Sequence, residues 1–194
     1  MFQKYWNRKL TGLLVIVIGL TLLCGFIYKL TNNEITLGYN EGYAPTQPIP
    51  FSHQLHAGRY QMDCRYCHTS VEESRHASIP SLNVCMNCHL NVKLQSPALK
   101  TLRQAYEKGE PIQWKKVHLL PDFVKFNHAP HIKALRGEQN TSTAYLKSCQ
   151  VCHGAVETMD VVFQKESLSM GWCINCHRQE DNKEWLNQCS TCHY

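Results

Sequence analysis

One apolar block stands out in an otherwise polar chain. Leu10 to Tyr28 runs 19 residues without a charge, and at about 1.5 Å per residue a helix of that length covers roughly 28 Å, close to the hydrocarbon thickness of a bilayer. Tyr5 and Trp6 before it, with Phe26 and Tyr28 at its end, sit where interfacial aromatics belong. The block is longer than the apolar region of a signal peptide, and no small-x-small cleavage site follows it. Leu23 is too large to precede a lipid-bearing cysteine at Cys24. The expectation is an uncleaved anchor. Lys4, Arg8 and Lys9 precede it, whereas Lys29 alone follows it until Arg59, which places the N-terminus in the cytoplasm and residues 31–194 outside.

Beyond the block, apolar residues thin out. Residues 31–50 carry Gly38, Gly42, Pro45, Pro48 and Pro50 and read as an extended tether. One segment has a helical period: Ser96 as cap, Pro97 in the first turn, Leu99, Leu102 and Tyr106 on one face, and Gly109 as the stop. The expected organisation is a cytoplasmic N-terminus (1–9), a transmembrane helix (10–30), the tether (31–50) and one domain over 51–194. That domain divides into 51–95, a connector over 96–125, and 126–194.

The polar part carries its chemistry in a repeated motif. Cys-x-x-Cys-His occurs five times, at Cys64, Cys67 and His68; Cys85, Cys88 and His89; Cys149, Cys152 and His153; Cys173, Cys176 and His177; and Cys189, Cys192 and His193. These copies hold ten of the eleven cysteines. In a c-type haem site the two thiols form thioethers to the porphyrin, and the adjoining imidazole is the proximal ligand of the iron. Zinc knuckles need no histidine directly after every second cysteine, and a disulfide framework explains neither the fixed gap nor the histidine. Five covalently bound haem c groups follow. About 28 residues per site, between His53 and His193, cannot enclose five porphyrins in an ordinary core. The expected fold is therefore mostly loops and short α-helices wrapped round the haems.

The formal charge of +5 counts protein alone, and about ten haem propionates would offset it. With no Lys/Arg-rich run, a nucleic-acid partner is not expected.

A second repeat precedes each group of motifs. Phe51-Ser52-His53-Gln54-Leu55-His56 stands ahead of the first two, and Phe126-Asn127-His128-Ala129-Pro130-His131 ahead of the last three. His53, His56, His128 and His131 are thus candidates for the distal position on iron, with His118 and Met170 as further candidates. His76 lies in a polar stretch and reads as solvated; Met86 is held on the proximal side, and Met62 and Met159 have no haem context. With both axial positions filled, no iron would be open to substrate. The chain then reads as an electron carrier and not an enzyme. A catalytic multihaem reductase would call for one altered motif, and a stand-alone quinol dehydrogenase for a quinol pocket that one helix hardly provides.

Phe-x-His-x-x-His ahead of closely spaced Cys-x-x-Cys-His resembles the class III multihaem cytochromes. The resemblance implies that His53 serves the haem of His68, His128 that of His153, and His131 that of His177. It assigns His56 or His118 to the haem of His89, and Met170, where that family often has histidine, to the haem of His193. The whole chain looks more specifically like the membrane-anchored pentahaem subunit of alternative complex III, through the single N-terminal helix, the two-plus-three division, residues 117–123 ahead of Phe126-Asn127-His128, and Met170-Gly171-Trp172-Cys173. That resemblance implies a respiratory assembly in a bacterial inner membrane that oxidises quinol, with the haem domain on the periplasmic side. Its implied partners are polytopic quinol-binding subunits, an iron–sulfur subunit and a monohaem cytochrome c, with a cytochrome c or an oxidase as acceptor.

Overall fold

The computed structural model describes residues 2–31, 40–180 and 184–194, with side chains described over 9–29, 40–180 and 185–194. The chain divides into residues 1–39 and residues 40–194. The first unit is one helix, α1 (Phe2–Thr31). Within it, Lys9–Lys29 is long and apolar enough to cross a membrane, and none of that stretch is buried by the protein itself. The Thr21 hydroxyl donates back to the carbonyls of Ile18 (2.8 Å) and Val17 (3.1 Å). A polar side chain in such a helix is thereby satisfied without water. The side chains of Lys4, Tyr5, Trp6 and Arg8, and tether residues 32–39, lie outside the described residues.

The second unit is built from short helices and loops. Its α-helices are α2 (Cys64–Cys67), α3 (Leu82–His89), α4 (Pro97–Lys108), α5 (His128–Arg136), α6 (Ser142–His153), α7 (Met170–His177) and α8 (Cys189–Cys192). A π-helical turn, Gln54–Arg59, packs on a 3-10 turn, Val156–Thr158. A second 3-10 turn, Glu184–Asn187, lies between α7 and α8. α4 forms where the sequence predicts it, with Pro97 at the start and Gly109 at φ 67 closing the C-terminus. Its buried stripe is Leu99, Leu102 and Ala105, and Tyr106 falls to the exposed edge.

Two small apolar clusters hold this unit. Ile49, Met86, Leu99 and Leu102 form one, flanked by Leu82, Cys85, Ile112 and Trp114. Val71, Ile132 and Tyr145 form the other, flanked by Ala77 and Cys149. Cys85 packs against the first cluster and Cys149 against the second, so among the described residues these apolar clusters gather beside the repeated motif.

Residues 40–50, read from the sequence as the far end of the tether, pack as part of this unit. Ile49 enters the first cluster. Gly42 N–H donates to Gln164 C=O (2.7 Å), and Gln164 N–H donates to Tyr43 C=O (2.9 Å). Gln164 is fully buried, and its side chain is satisfied as well. Its Nε2 donates to Glu166 C=O (3.0 Å) and Ser167 C=O (3.4 Å), while its Oε1 accepts from Leu119 N–H (2.9 Å). One glutamine thus ties together the entering chain, the connector and the approach to α7.

Candidate haem-binding sites

Residues three apart on a helix share a face, so a Cys-x-x-Cys pair on one helical turn presents both thiols in the same direction. All five pairs lie on such turns, in α2, α3, α6, α7 and α8, and each histidine sits at or just past the helix end. Caps fix where three of these helices start. Asp63 accepts from Arg65 N–H (2.8 Å), Thr141 Oγ1 from Ala144 N–H (3.2 Å), and Ser169 Oγ from Trp172 N–H (3.2 Å). No two of the eleven cysteines are joined in a disulfide.

The histidines after the motifs are oriented by their second nitrogen. Nδ1 donates to a backbone carbonyl in His68 (Ser78, 2.6 Å), His89 (Val92, 3.3 Å), His177 (Leu186, 3.2 Å) and His193 (Phe123, 3.0 Å). A carbonyl only accepts, so these rings carry their proton on Nδ1 and leave the Nε2 lone pair free for a metal. The same holds for His56 (Ser52, 2.8 Å), His128 (Arg75, 2.8 Å) and His131 (Asn127, 2.7 Å).

Four pairs of these rings face each other. Ring centres are 6.5 Å apart for His53 and His68, 6.2 Å for His56 and His89, 6.4 Å for His128 and His153, and 6.0 Å for His131 and His177. A metal at about 2.0 Å from each nitrogen, with each ring centre about 1.1 Å behind it, would set two imidazoles about 6.2 Å apart. Among the described residues no group of three or more His, Cys, Asp or Glu side chains could hold a metal ion. Two axial nitrogens and no equatorial donors suit a metal that brings its own equatorial ring. Burial, then His68 and His56 nearby, pushes His53 down to about 4, and burial, then His118, pushes His153 down to about 3. Burial also lowers His128 and His131. Each therefore stays neutral, the form that binds iron.

The Phe-x-His-x-x-His repeat is a structural repeat too. Phe51 meets His53 edge-on (4.9 Å, 86°) and lies over His56 (4.5 Å, 20°). Phe126 meets His128 edge-on (4.9 Å, 88°) and lies over His131 (4.4 Å, 33°). One phenyl ring thus steers two imidazoles one turn apart toward two different partners.

No protein-family model matches the chain. It is similar to the "Menaquinone reductase, multiheme cytochrome c subunit" of Nitratidesulfovibrio vulgaris (strain Hildenborough), 30% identical over 162 residues that cover 76% of each protein. This chain belongs to the same multihaem cytochrome c family.

Membership implies covalently bound haem c, and in this multihaem cytochrome the facing imidazoles and helical thiol pairs are the groups that fit it. Two sequence candidates fall elsewhere. His118 does not face His89, which already faces His56. Its Nε2 lies 3.0 Å from Nδ1 of His153, with ring centres 4.2 Å apart at 80°, too close to admit a metal between them. His118 stands behind His153 and does for it what a backbone carbonyl does for the other four. Met170 opens α7 and is 64% exposed. At the fifth site His193 meets the ring of Phe123 (5.9 Å), on the side of its Nδ1 bond, and no facing histidine among the described residues. His76 is exposed, as expected from its polar surroundings.

Some contributors carry no sequence signal. Ser78 places its carbonyl against His68 by adopting φ 64, a left-handed conformation rare outside glycine. Arg75 and Leu186 likewise act through backbone oxygen, which any residue supplies.

His118→Ala is expected to keep every haem low-spin, because the substitution removes a hydrogen bond and not a ligand. Losing an acceptor from Nδ1 of His153 makes that imidazole a poorer donor and raises its iron's potential. One neutral hydrogen bond, about 0.5–1.5 kcal/mol, corresponds to about 20–60 mV for one electron. A redox titration with EPR checks both points, and a high-spin ferric signal in the variant would restore His118 as a ligand.

Proposed function

We propose that this chain is a pentahaem electron-transfer subunit of a quinol-oxidising respiratory complex resembling alternative complex III, anchored by α1 with its N-terminus in the cytoplasm and residues 31–194 on the periplasmic side. The observation that carries the reading is the set of four imidazole pairs at 6.0–6.5 Å. Five Cys-x-x-Cys-His motifs supply the covalent tethers: Cys64, Cys67, Cys85, Cys88, Cys149, Cys152, Cys173, Cys176, Cys189 and Cys192. His68, His89, His153, His177 and His193 would be the proximal ligands, and His53, His56, His128 and His131 the distal ligands of four sites. Met170, at the start of α7, is kept as the distal candidate for the fifth. Haem c supplies a reversible one-electron iron couple. At four sites the chain supplies imidazoles on both faces, which would close the iron to substrate, and hydrogen bonds to backbone carbonyls, or from His153 to His118, that hold every one of these rings but His53 still between oxidation states. The proposed partners are polytopic quinol-binding subunits, an iron–sulfur subunit and a monohaem cytochrome c, with a cytochrome c or an oxidase as acceptor.

The relative's name, a menaquinone reductase subunit, favours a second reading in which the same sites deliver electrons to a membrane quinone. The haem sites serve either direction; the potentials of the partners decide it. Adding a quinol to the native membrane assembly and following the haem bands separates the two. Prompt reduction that continues into a cytochrome c supports quinol oxidation, whereas reduction only from a soluble donor supports quinone reduction.

Intact-mass measurement of the holoprotein is expected to show five covalent haem additions, and fewer would sink the pentahaem reading. Met170→His is expected to replace one His/Met EPR signal by a fifth bis-His signal and to lower that site's potential. An unchanged spectrum would remove Met170 from the ligand set.

A further inference from the structure

Chain order need not be spatial order, and here the contacts between sites disagree with it. Numbering the sites by their motifs along the chain, we infer that they are arranged in space as 2–1–3–4–5, with the His89 and His193 sites at the two ends. The inference rests on the haem assignment proposed above and deepens it by naming the terminal sites, where partners must dock.

Four junctions carry it. Sites 2 and 1 take their distal imidazoles from a single turn, His56 and His53, and their motifs touch directly, where Asn87 Nδ2 donates to Tyr66 Oη (3.0 Å). Sites 1 and 3 are joined most extensively. The helix of site 1, α2, packs directly on the helix of site 3, α6. Ser142, at the start of α6, donates to the Asp63 cap of α2, and Arg65 reaches Asn140 (3.1 Å). Arg65 also lies over the ring of Tyr145 (3.9 Å), whose hydroxyl donates to Glu72 just past His68. From the same side, Arg75 C=O orients the distal imidazole of site 3, His128.

Sites 3 and 4 take their distal imidazoles from one turn of α5, His128 and His131. Sites 4 and 5 share the 3-10 turn Glu184–Asn187. Leu186 C=O accepts from the proximal His177, while Trp185 C=O accepts from Thr191 Oγ1 inside the fifth motif (2.6 Å).

The outer flanks of sites 2 and 5 carry no attachment motif. α3 packs on α4 and, through Met86, on Ile49, Leu99 and Leu102. At the other end, His193 and Cys192 bond to the connector at Phe123 C=O (3.0 Å) and Lys125 N–H (2.8 Å). Site 1 is thus interior although its motif comes first, and site 2 is terminal although its motif comes second.

Iron positions in the holoprotein, located by anomalous scattering or in maps of the native complex, test the order. The site 1 iron is expected to lie between those of sites 2 and 3. A site 2 iron closer to that of site 3 than the site 1 iron is would overturn the order and leave the five-haem reading standing; a missing covalent addition would overturn both. A second measurement uses the full-length chain. Removing site 1 with Cys64→Ala/Cys67→Ala is expected to abolish the spin–spin broadening of the site 2 EPR signal. Removing site 3 with Cys149→Ala/Cys152→Ala should leave that broadening in place. The reverse pattern would also overturn the order.

Discussion

Gly58→Ala is expected to lower the melting temperature of the full-length chain and to disturb the first two haem sites together. A Cβ at Gly58 would stand 2.3 Å from the carbonyl oxygen of Glu157 and 3.5 Å from its carbonyl carbon. The obstacle is backbone and cannot rotate away. Gly58 belongs to the turn Gln54–Arg59, which carries His56 and follows His53 directly, and Glu157 lies in the 3-10 turn packed against it. To relieve the contact one turn must move, and both distal imidazoles ride on the first. Overpacking of this kind costs about 1–3 kcal/mol, a shift of about 3–10 °C for a chain of this length. Thermal unfolding and EPR check the two parts. Gly12, with nothing within 4 Å, is the control, and Gly12→Ala should leave both readouts unchanged. A Gly58→Ala protein with the parent's melting temperature would show that the two turns are not in this contact.

Gln164→Leu is expected to cost more. Leucine has nearly the same size but can neither accept from Leu119 N–H nor donate to the carbonyls of Glu166 and Ser167. Each buried polar group left unpaired costs about 1–3 kcal/mol. With partial rescue by water, about 2–4 kcal/mol is the expected sum, or about 5–15 °C in melting temperature. The damage should spread beyond the residue, because Gln164 also pairs through its backbone with Gly42 and Tyr43. Proteolysis near residues 40–50 is therefore expected to speed up in the variant. A variant as stable as the parent would mean that water already satisfies the connector at Leu119.

The parts legible in the sequence are those whose geometry is set within one or two turns of chain. The Cys-x-x-Cys spacing fixes two thiols on one face wherever a helical turn forms. The Phe-x-His-x-x-His repeat works for the same reason: Phe51 and Phe126 reach histidines two and five residues away, which local backbone determines. α4 was readable from its period and its caps, apart from the exchange of Tyr106 for Ala105 on the buried stripe. What stayed hidden depends on contacts between distant segments. His118 is 35 residues from His153 and looks like any spare histidine in a haem protein. Ile49 is one apolar residue between two prolines, and nothing nearby in the chain shows that it enters a cluster with Met86. Gln164 has an unremarkable polar neighbourhood in sequence, yet it is wholly enclosed in the fold. The order of the sites rests on pairings such as Asp63 with Ser142, which no local pattern announces.

The sparse apolar interior has a consequence for how the protein comes to exist in a cell. Two clusters of three and four buried residues give the bare polypeptide little reason to collapse before its cofactors are attached. Thioether ligation and compaction should therefore be one coupled event, with each newly attached porphyrin supplying surface for the next stretch of chain to settle on. A strain lacking its cytochrome c ligation machinery is expected to show no colourless precursor of this subunit at steady state, because quality-control proteases would degrade it as fast as it is made.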